Sequence, residues 1–206
     1  MNYVKFLLKS ALPLPAAGEL HESTMEMNMK KTGRFFVIAL LGLLPASGVA
    51  NTSAADDAKS FLSSGEVKFG KGDNQGAMAD YTKAIELDPK LSEAYNSRAA
   101  LKYSAGDKPG AITDYTKAIE LNSQFTDAYN NRGNAKAGMG DVQGAIADYT
   151  RAIELDPAFV PAYMNRAAIK LDLGDKPGVI ADLSSAAKLG HPAAQQWLHQ
   201  NGVAGW

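Results

Sequence analysis

The chain is 206 residues long, 46% hydrophobic and 8% aromatic, with 21 basic against 22 acidic side chains and no cysteine. This is the composition of a globular chain. The missing cysteines exclude a disulfide framework, a thiolate zinc site, an iron–sulfur cluster, a cysteine nucleophile and a lipidated cysteine anchor. A net charge of −1 argues against a nucleic-acid partner, because phosphate binding needs a concentrated excess of Lys and Arg.

In chain order, the first feature is the apolar run Phe35 to Leu44 (FFVIALLGLL), about half of the roughly 20 residues that a helix needs to cross a bilayer. Lys30, Lys31 and Arg34 precede it, and Pro45 with small residues ending in Gly48-Val49-Ala50 follows it. Charged, apolar, then small is the order of a secretory signal peptide, with cleavage expected after Ala50 and Ala54 as the alternative. Residues 1–28 read as a doubtful leader, because initiation at Met27 or Met29 gives a signal of conventional length over 29–50. Loss of residues 1–50 leaves 16 basic and 19 acidic side chains, a mildly acidic mature chain. Its start, 51–57, is expected to be flexible. The expected location is the periplasm or the exterior of a bacterial cell, with no stable membrane span after cleavage.

From there the chain repeats itself. DYTKAIELDP at 80–89, DYTKAIELNS at 114–123 and DYTRAIELDP at 148–157 begin 34 residues apart, and a weaker copy, DLSSAAKLGHP, begins at Asp182 after the same interval. The units are 58–91, 92–125, 126–159 and 160–193, and the second and third agree at 18 of 34 positions. A fixed period of this length is the mark of a solenoid. Each unit holds two helical patterns separated by Gly-Asp: Gly72-Asp73, Gly106-Asp107, Gly140-Asp141 and Gly174-Asp175. The glycine suits the left-handed end of one helix and the aspartate the N-cap of the next. Pro109 and Pro177 fit first turns, while Pro89 and Pro157 stop the second helices. In the third unit Ala145, Ile146, Tyr149, Ala152, Ile153 and Leu155 form an apolar stripe at helical spacing, so this helix must bury one face. Tyr95, Tyr129 and Tyr163 recur at one position of the first helices, and Tyr81, Tyr115 and Tyr149 at one position of the second. All six are expected to wedge between layers.

A unit of this length with an aromatic, Gly or Ala four residues later, then Ala-(x)3-Tyr-(x)2-Ala and a terminal Pro resembles the tetratricopeptide repeat. The resemblance covers 58–193 and implies an all-α, right-handed superhelical α-α solenoid of four units, closed by a capping helix and tail over 194–206. Three positions depart from the pattern: Ser123 replaces a terminal proline, Leu183 replaces a tyrosine, and Lys68 stands where a large aromatic is usual. The ending AAKLGHPAAQQWL also resembles the related Sel1-like repeats.

The resemblance implies a concave groove lined by the first helices, with ligands held there. Beside the wedge tyrosines the groove would carry Asn96, Ser97 and Ala100, then Asn130, Asn131 and Asn134, then Met164, Asn165 and Ala168, with Leu62, Ser63 and Glu66 in the first unit. Asparagine is a poor helix former, and an amide can pair with the backbone of any extended peptide. Asn96, Ser97, Asn130, Asn131, Asn134 and Asn165 are therefore the candidate peptide-binding residues. The other reading has these amides solvated or bonded within the array. Arg98, Arg132 and Arg166 recur in phase with Asp80, Asp114, Asp148 and Asp182, as an anion-binding row or, favoured by the equal periodicity of both signs, as internal ion pairs. The lysine clamp by which some members of the family grip a chaperone's carboxylate tail is not matched, since Asn96, Asn130, Glu93 and Asp127 stand where cations are needed.

No GxSxG, HExxH or Walker motif occurs, and Gly138-Met139-Gly140 has the wrong spacing for a dinucleotide fingerprint. His191 and His199 have no acidic partner at a helical interval. No cofactor, metal or catalytic residue is expected. The functional expectation is a non-enzymatic scaffold or adaptor of the cell envelope that binds a protein or extended peptide in its groove. The alternative is a structural subunit that assembles with itself or with envelope machinery through the solenoid ends, where Phe61, Leu62 and Phe69 lack a preceding cap.

Overall fold

The structure, a computed structural model, describes residues 53–206. The leader and the signal peptide expected over 1–28 and 29–50 lie outside the described residues. The described residues form nine helices and no strand: α1 (Ala54–Gly70), α2 (Asn74–Leu87), α3 (Ser92–Ser104), α4 (Lys108–Leu121), α5 (Thr126–Ala137), α6 (Val142–Leu155), α7 (Val160–Asp172), α8 (Lys176–Lys188) and α9 (Pro192–Gln200). None is long and apolar enough to cross a membrane.

Local chemistry sets each boundary. The Ser53 Oγ accepts from the Asp56 N–H at 3.2 Å while Asp56 Oδ2 accepts from the Ser53 N–H at 3.3 Å. This capping box starts α1 at Ala54, so residues 54–57 are helical where a flexible start was expected. Between the helices of each unit, Gly72, Gly106, Gly140 and Gly174 have φ of 82°, 88°, 85° and 75°, a region that costs a residue with a Cβ. The aspartate that follows caps the next helix, its carboxylate accepting from the N–H of Gly76, Gly110, Gly144 or Gly178 at 2.9–3.0 Å. A Cβ on any of these four glycines would strike that carboxylate, which explains a second glycine period that the Gly-Asp turn alone does not.

The second helices end in extended residues Asp88, Asn122 and Asp156. The side-chain Oδ1 of each accepts the N–H two residues on, from Lys90, Gln124 and Ala158, at 2.9–3.0 Å. Such a turn needs no proline, so Ser123 leaves α4 ending at the same point as its counterparts.

Helices pair within each unit and stack on the next. Alanine fills the closest approaches: Ala77, Ala111 and Ala145, Ala84, Ala118 and Ala152, and Ala94, Ala128 and Ala162 are all 0% exposed. Tyr81, Tyr115 and Tyr149 lie across the partner helix within their units, two of them against glycine: a Cβ on Gly65 or Gly133 would come within 2.5 or 2.6 Å of the Tyr81 or Tyr149 ring. Tyr129 packs between two layers, touching the Ala118–Ala128 cluster on one side and the Ala145–Ala162 cluster on the other. The α9 helix closes the last layer with Ala194 and Leu198 fully buried, and Trp197, Val203 and Trp206 pack around them.

Successive units meet mainly where α2 packs on α3, α4 on α5 and α6 on α7, but contacts between like helices of successive units run through one row only. Helix α1 touches α3, α3 touches α5 and α5 touches α7, whereas α2, α4, α6 and α8 make no contacts with one another on that scale. The odd helices therefore form the tighter, inner row of a curved stack, and the residues they turn outward line its concave face.

Candidate functional site

Beneath the concave face runs a row of ion groups. Arg98, Arg132 and Arg166 each donate two hydrogen bonds to one aspartate of their own unit, Asp114, Asp148 and Asp182, at 2.6–3.0 Å. A lysine one turn along the same helix joins each pair: Lys102, Lys136 and Lys170, at 2.7–2.8 Å. The fork–fork geometry fixes the angle between the two helices of a unit. The remaining guanidinium nitrogen reaches backward to a threonine of the preceding unit: Thr82, Thr116 and Thr150 at 3.5, 3.1 and 2.8 Å. One side chain thus ties two helices and two layers, and the guanidiniums of Arg98 and Arg132 also stack on Tyr95 and Tyr129. These arginines are spent on the fold and leave no anion-binding row.

The first unit has no arginine here, and Asp80 accepts instead from the Ser64 hydroxyl at 2.6 Å and pairs with Lys68 at 2.7 Å. Lys68 therefore holds the same post as Lys102, Lys136 and Lys170, so it belongs to the pattern of this chain. Sequence reasoning overlooked that role, although the 34-residue recurrence of the lysine carried the signal. Burial pushes the Asp114 carboxyl up, but hydrogen bonds from Arg98 and Lys102 outweigh it and hold the group below its ordinary value. The hydrogen bond from Lys68 likewise lowers Asp80. Burial raises the phenols of Tyr81, Tyr115 and Tyr149, so all three stay neutral.

The structure brings most of the candidate amides together. Asn165 Nδ2 donates to Asn130 Oδ1 at 2.9 Å across two units, and Asn130 Nδ2 donates to Asn131 Oδ1 at 3.4 Å. Asn134 is engaged separately, accepting from the Tyr149 hydroxyl at 2.8 Å. Asn130 is buried, while Asn131, Asn134 and Asn165 keep part of their surface open. The directional chain of amides stops short of the second unit, where Asn96 Oδ1 is sealed from solvent and accepts from no donor.

Asn96 and Ser97 instead line a concavity of about 190 Å³ with Glu66, Phe69, Tyr81 and Ala100. Phe69 is 50% exposed, and Tyr103 and Leu171, one and three units on at the same repeat position, are also exposed. Glu66 and Phe69 entered the sequence reading separately, one as a groove residue and the other at the solenoid end. Their meeting over Asn96 depends on how α1 lies against α3, which no local pattern records.

Comparison with known families finds tetratricopeptide repeat models matching residues 126–159 and, in a second form, 65–106 and 101–140. The matched stretches together run from residue 65 to residue 159. The fourth unit, α7 and α8, lies beyond the matched residues and repeats the Gly-Asp turn, the cap and the Arg–Asp–Lys cluster. A comparison with curated proteins finds no match. Among solved structures, MamA has a TM-score of 0.62 at 24% identity over 68% of this chain and 81% of its own. The first tetratricopeptide domain of Spaghetti (RPAP3), bound to the HSP90 peptide SRMEEVD, has a TM-score of 0.57 at 27% identity over 62% of this chain and 99% of its own. The second such domain of human RPAP3, in complex with the HSP70 peptide SGPTIEEVD, gives 0.52 at 26% identity over 57% and 95%.

Proposed function

We propose that this chain is a non-enzymatic scaffold that binds an extended peptide or protein segment along the concave face of its tetratricopeptide array, as an exported component of the bacterial cell envelope. The observation that carries the reading is the partly open surface of amides on α3 and α5 and of aromatics on α1 and α3, next to an Arg–Asp–Lys row that the fold consumes. Two relatives of similar fold hold peptides, which supports the class of ligand. A preformed groove needs little reordering, so modest contact area can yield useful affinity. Export rests on the basic, apolar and small-residue order of Lys30 to Ala50.

A photo-crosslinking residue placed at Asn131, and separately at Lys117 on the outer helix α4, tests the groove in cells. Adducts are expected at Asn131 and not at Lys117. Adducts confined to Lys117, or to probes at Val67 and Gln200 near the ends of the array, overturn the groove reading and favour assembly through the solenoid ends. Intact mass of the exported protein is expected to place Asn51 first, and a mature chain that starts at or before Lys30 would refute cleavage there.

A further inference from the structure

On α3, α5 and α7 the charges left unpaired are all acidic, while α1 carries the exposed Lys59 besides its own acidic residues. On α3, α5 and α7 every cation, Arg98, Lys102, Arg132, Lys136, Arg166 and Lys170, is bound to a buried aspartate. Glu93, Asp127 and Asp172 on the same helices have no cation partner among the described residues, and neither does Glu66 on α1. Glu66 reaches the concavity that Asn96, Ser97, Ala100, Phe69 and Tyr81 complete, and it lies close enough to Tyr81 to disfavour ionisation of that phenol. At about 190 Å³ the space is smaller than the roughly 300 Å³ at which small-molecule pockets begin, and it suits a single long side chain.

Resting on the groove reading above, we propose that this concavity between α1 and α3 is a specificity subsite for a lysine or arginine side chain of an extended peptide. Glu66 faces the cationic head, and the exposed Phe69 ring and Ala100 cover the methylene stem, an arrangement that suits side chains with an apolar stem and a charged tip. Asn96 supplies the backbone contact. Its Oδ1 accepts nothing within the fold, unlike Asn130 Oδ1 one unit on, which takes the Asn165 amide. The broad χ2 well of asparagine lets this oxygen turn to a peptide N–H. An unused buried acceptor is costly, and a peptide donor removes that cost. The same charges oppose a peptide that ends in acidic residues.

The test uses three fluorescein-labelled nonapeptides of Ser and Ala that differ only at the centre, with lysine, norleucine or glutamate, titrated by anisotropy against the full chain. The lysine peptide is expected to bind about tenfold more tightly than the glutamate peptide, a difference of about 1.4 kcal/mol, and to weaken as salt is raised. Glu66→Gln is expected to erase the preference while norleucine binding is unchanged, and Asn96→Ala to weaken all three. Circular dichroism checks that both variants keep the fold. Equal binding of the lysine and glutamate peptides, or a preference that survives Glu66→Gln, overturns the subsite, while the groove stands if Asn131 still crosslinks. Failure of all three to bind at up to about 1 mM, where binding free energy has fallen to about −4 kcal/mol, also overturns the subsite.

Discussion

Arg132 shows how one residue can decide both a unit and its neighbour. It pairs with Asp148, which is 4% exposed, and donates to Thr116 of the preceding layer. Arg132→Met is expected to cost about 2–4 kcal/mol, because a buried carboxylate loses its bidentate partner and keeps only Lys136. Lys117→Ala, which breaks an exposed pair with Glu120, is expected to stay within about 0.5 kcal/mol. Urea unfolding of both variants measures the contrast. At Gly133 an added methyl meets the Tyr149 ring, yet the second unit packs Tyr115 with Ala99 at the matching position. Gly133→Ala therefore asks the helix pair to move slightly apart, and a loss of about 1–2 kcal/mol is expected in the same assay. The engaged amides behave differently from solvated ones: Asn130→Ala removes two internal hydrogen bonds and Asn134→Ala one, so the stability of the array is coupled to its candidate site.

At the scale of the helix, repeated caps add to the stability that packing supplies. Asp73, Asp107, Asp141 and Asp175 each satisfy a backbone N–H that the helix cannot satisfy itself. Asp141→Ala is expected to cost about 1 kcal/mol and to raise amide exchange in the first turn of α6 before the rest of that helix. The helix boundaries were legible from Gly-Asp turns and prolines because caps are local chemistry. The start of α1 was less so: Ser53 and Asp56 form a capping box, but small residues and paired carboxylates after an expected cleavage site read as a flexible start of the mature chain. The end of α4 was likewise obscured by Ser123, since the stop is made by the Asn122 side chain.

Across the whole array, each unit leans only on its neighbours, so damage should remain local before it spreads. Leu198 seals the last layer with no exposed surface, and Leu198→Ala is expected to cost about 2–4 kcal/mol. Hydrogen exchange should then rise first in α7–α9 and last in α1–α4. The lowered carboxyls of Asp80 and Asp114 give the array an acid limit. A depressed folded-state value favours the fold at any pH above the ordinary carboxylate range, near about 4, and that contribution disappears as pH falls through the folded-state values. Urea midpoints are thus expected to be flat between neutral pH and about 5 and to drop below about 4. A midpoint that rises on acidification would contradict the ion row. The sequence by itself determined the period, the two helices per unit, their caps and the small residues where helices meet, because each is written within one turn or one repeat. It could not decide whether periodic arginines face a ligand or an aspartate, nor which asparagines bond to one another. Those outcomes depend on how adjacent helices are rotated and stacked, and only the tertiary structure, by bringing Arg132 to Asp148 and leaving Asn96 beside Glu66 and Phe69, separates the groups the fold consumes from those it leaves open.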